Sequence, residues 1–247
     1  MAVHELYLLH LGQLGSRDAV TGAVQFNQVP GYLIRTATGR TVLVDTGNPQ
    51  AMIGAENAEP WSRLLTNTRP EDDVVARLAQ LGLGPADVDL LVSTHFDFDH
   101  CGRHDAFADV GTESIVQRRH LEAARKEPRY DRGLWDLPGI AYTEIDGDLD
   151  LEPGLRLLET SGHAIGHQSV SVETPGGPVI LAVDAISRGA TIETRDIPDW
   201  YSDVTEAARS MDRLVTLAGE TGAYLIFGHD APQWDALTKS PEPFRRP

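Results

Sequence analysis

The stretch Asp89 to His104, DLLVSTHFDFDHCGRH, constrains this chain more than any other. An apolar run, Leu90 to Val92, ends in Ser93 and Thr94, and His95, Asp97, Asp99 and His100 then arrive within six positions. In an extended segment residues two apart share a face. His95, Asp97 and Asp99 therefore point the same way if the strand continues, and His100 joins them as the chain turns. Imidazole nitrogen and carboxylate oxygen suit zinc, iron and manganese, and a cluster left open to water is what a catalytic metal needs. The motif is incomplete alone, so further ligands must come from elsewhere.

The chain can supply them. Its 247 residues, 41% hydrophobic, suffice for a packed core in one large domain or two small ones. A net charge of -16 argues against nucleic acid or an anionic membrane as partner, since both need a basic footprint. Cys101 is the single cysteine, which excludes an internal disulfide and fits a reducing compartment. Leu6 to Leu11 is too short to span a bilayer and has no basic region before it. The expectation is a soluble, cytoplasmic protein, monomeric or homodimeric.

Glu5 to Leu11 reads as a first strand and Gln13 to Asn27 as a loop. Tyr32 to Arg35 and Thr41 to Val44 flank Thr38-Gly39 in a hairpin pattern, and the second of these ends in Asp45-Thr46-Gly47. Asn48 to Pro70 reads as irregular, with Met52, Ile53 and Trp61 either lining a cleft or covering the core. Pro70 and the acids after it open a helix through Leu81, stopped by Gly82 and Gly84. Ser114 to Gln117 reads as a strand, Arg118 to Lys126 as a helix and Glu127 to Ile140 as an irregular insert. Asp146 to Asp150 lacks the fixed spacing of a calcium loop and reads as a solvated turn. Leu155 to Glu159, Ser169 to Glu173 and Val179 to Val183 are strand-like, and the last ends in Asp184. One β-rich half thus ends in Asp45 and the other in Asp184, an echo that suggests two packed sheets, not a doubly wound one. Val204 to Ala218 has helical spacing and Tyr224 to Phe227 reads as a last buried strand.

Three residues beyond the central motif have the right setting. His163 in Ser161-Gly162-His163, Asp184 and His229 in Gly228-His229 each follow a strand beside small residues, where backbone can bring a side chain into a shared cleft. HFDFDH, GHAIGHQS, VILAVDA closing on Asp184 and FGHD together resemble the metallo-β-lactamase-fold hydrolases. Within these the chain resembles the N-acyl-homoserine lactonase and 4-pyridoxolactonase group, with YLIRTATGRTVLVDTG, DGDLDLEPGLRLLETSGHAIGHQSV and YLIFGHDAPQW in the same order.

The resemblance implies one domain over 1–247, an α/β fold built as an αββα sandwich of two mixed sheets flanked by helices, and two divalent metal ions on one edge, zinc first and iron or manganese as alternatives. It implies His95, Asp97 and His163 on the first ion, Asp99, His100 and His229 on the second, and Asp184 bridging both. Asp45 would orient a ligand histidine from behind. A metal lowers the pKa of bound water to about 7, giving hydroxide to attack a lactone or ester carbonyl. The resemblance makes Asp99 the catalytic group that carries the proton to the leaving alkoxide.

Two positions depart from the pattern. The usual motif is HxHxDH and Asp97 replaces its second histidine, which adds negative charge and hardens the site. The lactonases place a tyrosine three residues after the bridging Asp, where this chain has the shorter hydroxyl of Ser187. Ser187 and Phe98 are the substrate-binding candidates, one of Phe96 and Phe98 packing in the core while the other borders the substrate. His167 reads as structural, Cys101 as a small buried thiol, and His4, His10, His104 and His120 as ordinary histidines. The expected function is metal-dependent, quorum-quenching lactone hydrolysis. The alternatives are a thioesterase or other ester hydrolase of the same fold, or a metal-binding protein in which Asp97 leaves little catalysis.

Overall fold

The computed structural model describes residues 2–18, 20–57 and 64–247. Trp61 lies outside the described residues. The chain begins with a long antiparallel hairpin of β1 (Glu5–Arg17) and β2 (Val24–Arg35), followed by β3 (Thr41–Val44) and β4 (Leu65–Asn67). Helix α1 (Val74–Gln80) leads to β5 (Leu90–Val92), and two short helices follow, α2 (Phe98–Cys101) and α3 (Asp105–Ala108). Then come β6 (Glu113–Gln117), α4 (Arg118–Ala124), α5 (Arg132–Trp135), β7 (Ala141–Ile145) and β8 (Leu149–Glu152). The remainder is β9 (Leu155–Glu159), β10 (Gln168–Thr174), β11 (Gly177–Val183), α6 (Ala190–Thr194), α7 (Val204–Thr221), β12 (Tyr224–Phe227) and α8 (Ala231–Ala236).

Two mixed sheets result. One has seven strands in the order β4-β1-β2-β3-β5-β6-β7, and the other five in the order β12-β11-β10-β9-β8. The echo seen in the sequence is an echo of topology: β2 pairs antiparallel with β3, which runs into Asp45, and β10 pairs antiparallel with β11, which runs into Asp184.

Period-two alternation sorts the side chains into layers. Leu6 and Leu8 of β1 face inward with Tyr32, Ile34, Val42 and Val44, against Leu157, Val170, Val172 and Leu181 of the other sheet. Leu9, Leu33, Leu43 and Leu91 face the opposite way, under Val74 and Leu78 of α1. On the far side Leu158, Ile180 and Ala182 lie under Met211, Leu214 and Ala218 of α7. The layers are therefore helix, sheet, sheet, helix, the αββα sandwich that the sequence led us to expect.

Several expectations need correction. Gln13 to Asn27 is not a loop: β1 continues to Arg17 and β2 starts at Val24, with a bulge between His10 and Gln13. Pairing supplies what the polar sequence did not signal, because Gln13, Leu14 and Gly15 also bond to β4 on the other edge. The irregular segment from Asn48 to Pro70 accordingly contains a strand. The helix read over Pro70–Leu81 is split, with a 3-10 turn at Pro70–Asp72 and a fresh start where Asp73 accepts a hydrogen bond from the Val75 amide. The turn read over Asp146 to Asp150 ends at Asp148, which Arg156 and Arg213 hold, because Leu149 and Asp150 pair with β9 as part of β8.

Candidate metal centre

Strand β5 ends at Val92, so the extended run through Asp99 anticipated from the sequence is cut short. His95 and Asp97 lie in the connection after β5, whereas Asp99 and His100 lie on the first turn of α2. The same four side chains still converge, because the turn folds His100 back beside His95, with ring centroids 4.1 Å apart.

The three distant candidates arrive from the ends of other elements. Asp184 follows β11, whose pairing with β12 is irregular between Leu181 and Val183, and Val183 itself has φ 49°. A β-branched residue rarely adopts that conformation, so strain is held immediately before Asp184. His229 follows Gly228, where a Cβ would sit 2.6 Å from the Val183 carbonyl oxygen and 2.7 Å from Asp184 Oδ1. Only glycine permits that approach.

Asp184 sits at the middle. Its Oδ2 lies 3.3 Å from His163 Nε2 and 4.0 Å from His95 Nε2, while its Oδ1 lies 3.1 Å from His229 Nε2 and 3.7 Å from His100 Nε2. Asp97 Oδ2 completes the first group, 3.3 Å from His95 Nε2 and 3.0 Å from His163 Nε2. Asp99 Oδ2 completes the second, 3.7 Å from His100 Nε2 and 3.8 Å from His229 Nε2. His95, Asp97 and His163 form one set whose donor atoms lie within 4.8 Å of one another, and Asp99, His100 and His229 form another.

The histidines are turned to present Nε2. Nδ1 of His100 donates to Asp45 Oδ2 at 2.8 Å, and Nδ1 of His229 donates to the Gln28 carbonyl at 2.7 Å. Thr94 gives its hydroxyl proton to Asp45, so Thr94 Oγ1 is left to accept from His95 Nδ1 at 3.0 Å. Partner chemistry thus assigns the protons to Nδ1 and leaves Nε2 lone pairs facing the cluster. His167 takes a different part: its Nε2 accepts a hydrogen bond from the Asp184 amide, holding the carboxylate's backbone in place.

Electrostatics and unmet bonding both ask for cations. Nε2 of His95, Nε2 of His100 and Oδ1 of Asp184 are buried without a hydrogen-bond partner among the described residues. Such orphans are costly unless something positive meets them. Burial alone pushes His100 and His229 down, yet the carboxylates around them overcome it and push them up to about 10 and about 9. Burial likewise works to raise the Asp97 and Asp184 carboxyls, but hydrogen bonds and the facing histidines hold both well below the usual range. Asp99 differs, since burial together with its acidic neighbours raises it. The donor set of imidazoles and carboxylates fits divalent metal.

A cavity of about 980 Å³ opens over this cluster, with Asp97, Asp99, His163, Asp184 and His229 exposed to it. Its walls include Leu14, Leu64, Phe98, Trp200 and Tyr201. Phe96, by contrast, is fully buried and stacks on Trp135 at 4.8 Å, with Cys101 packed in the same cluster. Ser187 lines the cavity and shares a 3.0 Å hydrogen bond with the Tyr201 hydroxyl. Tyr201 and Arg129 escaped the sequence reading. Arg129 lies in an insert that read only as irregular, and nothing local marks either residue as part of a site.

Among the described residues no helix is long and apolar enough to cross a membrane. The chain is similar to the N-acyl homoserine lactonase of Bacillus sp, 35% identical over 85% of this chain and 84% of that one. It is also 33% identical to the N-acyl homoserine lactonase of Bacillus thuringiensis subsp. kurstaki, over 98% of this chain and 99% of that one. A structure of an N-acyl homoserine lactone hydrolase, with the product N-hexanoyl-L-homoserine bound at its catalytic metal centre, superposes with TM-score 0.88. It is 32% identical, with 98% of this chain and 100% of that one covered. A model of the Metallo-beta-lactamase superfamily matches residues 24–229. The chain therefore belongs to the metallo-beta-lactamase superfamily.

Proposed function

We propose that this protein is a metal-dependent lactonase that opens N-acyl homoserine lactones, a quorum-quenching activity. The observation that carries the reading is Asp184, whose two oxygens face two adjoining groups of donors beneath a cavity of substrate size. In this reading His95, Asp97 and His163 hold one divalent ion, Asp99, His100 and His229 the other, and Asp184 joins them. Zinc suits the donor set best, with iron or manganese favoured by its carboxylates. Bound there, such ions supply hydroxide at neutral pH and polarise a carbonyl oxygen.

The chain's own groups do the remaining work. The hydroxyls of Ser187 and Tyr201 orient the lactone carbonyl from the cavity wall, and Phe98, Leu14, Leu64 and Trp200 give the acyl chain an apolar bed. Asp99 would take the proton given up by the attacking water and pass it to the alkoxide as the ester C–O bond breaks. The single buried thiol, Cys101, supports a cytoplasmic setting.

A thioesterase acting on an anionic carrier such as glutathione would need free basic residues toward the C-terminus, and three of those present are engaged within the protein. Arg195 is paired with Asp212 and Arg213 with Asp148, while Lys239 donates to the Trp234 and Leu237 carbonyls. The test is a substrate panel: acyl-homoserine lactones of short and long chain, simple γ- and δ-lactones and an acyl thioester. Lactone opening that favours acylated homoserine lactones is expected, and preference for the thioester would overturn the reading.

A further inference from the structure

Asp97 is gripped by an arginine at the edge of the cluster. Arg129 Nε donates to Asp97 Oδ1 at 2.7 Å and Nη2 donates to Oδ2 at 2.5 Å, a two-pronged pair. Nη1 of the same guanidinium donates to the His163 carbonyl at 3.0 Å, and Nη2 lies 3.0 Å from His163 Nε2. One arginine therefore touches two of the three members of the first group. Its guanidinium carbon lies 5.4 Å from the Trp200 ring centroid and 5.5 Å from that of Tyr130, so the head is fixed on two aromatic faces. Arg129 is mostly buried, and its neighbours hold its charge even more firmly than usual.

The arrangement has a physical consequence for Asp97. A free carboxylate can turn about its terminal torsion and offer one oxygen or both to a cation. A planar guanidinium bound to both oxygens stops that rotation and takes one lone pair from each. Each oxygen keeps one lone pair, and only that on Oδ2 is turned to the cluster, where Oδ2 lies 3.3 Å from His95 Nε2 and 3.0 Å from His163 Nε2. Arg129 also cancels a full negative charge in a cluster that already holds Asp99 and Asp184. An Asp-Arg unit thus presents one oxygen and no net charge, as a neutral donor does.

Resting on the metal-centre reading above, we infer that Arg129 is a positioning residue for the first metal ion. It fixes Asp97 as a single-oxygen ligand and neutralises it, so that Asp97 and Arg129 act together where one neutral ligand would otherwise serve. Arg129 acts through Asp97 and is assigned no contact with the reacting atoms.

The test measures metal binding without substrate. Apo wild-type, R129M, R129K, D97H and D97H/R129M proteins are titrated with zinc against a competing chelator, with folding followed by circular dichroism. Wild type is expected to take two equivalents. R129M should bind one of them about 10–100-fold more weakly, the usual cost of losing a partner behind a ligand, and R129K, which keeps the charge but not the fork, should fall between. In the D97H background the same R129M change should cost less than about 3-fold, because a neutral ligand needs no counter-charge.

Unchanged or tighter zinc binding in R129M would overturn the inference, as would an equal loss in both backgrounds, which would mark Arg129 as a support for the His163 loop alone. Failure of the wild type itself to bind zinc would instead sink the metal-centre reading.

Discussion

Asp45 Oδ2 accepts a 2.8 Å hydrogen bond from Nδ1 of His100, across 55 positions of sequence. The carboxylate also accepts from the Thr94 amide and hydroxyl at 2.9 and 2.7 Å, so a single side chain ties the end of β3 to the start of the His and Asp cluster. Asp45 sits at φ 60°, and together these bonds hold a non-glycine residue in the left-handed region. The shape of the first sheet is in this way passed directly to the orientation of His100, a candidate ligand.

The substitution D45N should therefore reach the metal centre without altering any of its donors. A side-chain amide in place of the carboxylate keeps one acceptor oxygen but loses the charge that fixes the His100 proton on Nδ1. We expect D45N to weaken metal affinity by about 10–100-fold with the fold retained. Metal titration followed by circular dichroism checks this, and unchanged affinity would contradict it.

Tyr201 offers a contrast, since its hydroxyl meets Ser187 over the cavity and meets no candidate ligand. Loss of one neutral hydrogen bond is worth about 0.5–1.5 kcal/mol, so Y201F should lower kcat/KM on a lactone by about 3–10-fold. Metal content should stay at the wild-type level. If metal is lost together with activity, the hydroxyl acts by holding the Tyr201 ring against His163 and not on the substrate.

Acid should destabilise the fold through histidines that the reaction does not use. His104 is fully buried between Ser93 and Tyr142, and burial pushes it down to about 3 from 6.5. The unfolded chain binds a proton at His104 below 6.5 and the folded chain does not until about 3. Stability from this group is thus complete above 6.5 and lost as pH falls toward 3, by about 1 kcal/mol per pH unit. Chemical denaturation between about pH 7 and 4 should show this slope reduced in H104Q. An unchanged slope would mean that His104 is not the group being titrated.

Much of the site could be read from the sequence because its chemistry is local. HFDFDH places four donors on a short segment, and Gly162 and Gly228 mark the two places where backbone must come close to deliver His163 and His229. The sandwich was legible for a similar reason, since the continuous apolar runs in β1, β3 and β11 mark strands covered on both faces. The continuation of β1 and β2 through Gln13 to Asn27 was not, because its polar residues gain their strand character only by pairing with each other and with β4. Asp99 was read in an extended run and instead lies on a helical turn, a difference that periodicity over so few residues does not resolve. Arg129 and Tyr201 were invisible because their meaning is relational: Arg129 meets Asp97 across 32 positions, and Tyr201 meets Ser187 across 14.

In the proposed centre Asp184 would join two divalent ions that open an ester together. The most direct measurement is ring opening of N-hexanoyl homoserine lactone by metal-free protein as zinc is added in measured equivalents. Almost no opening is expected without metal, with activity rising until two equivalents are bound and lost on chelation. Full zinc loading with no opening of this or any other lactone would contradict it.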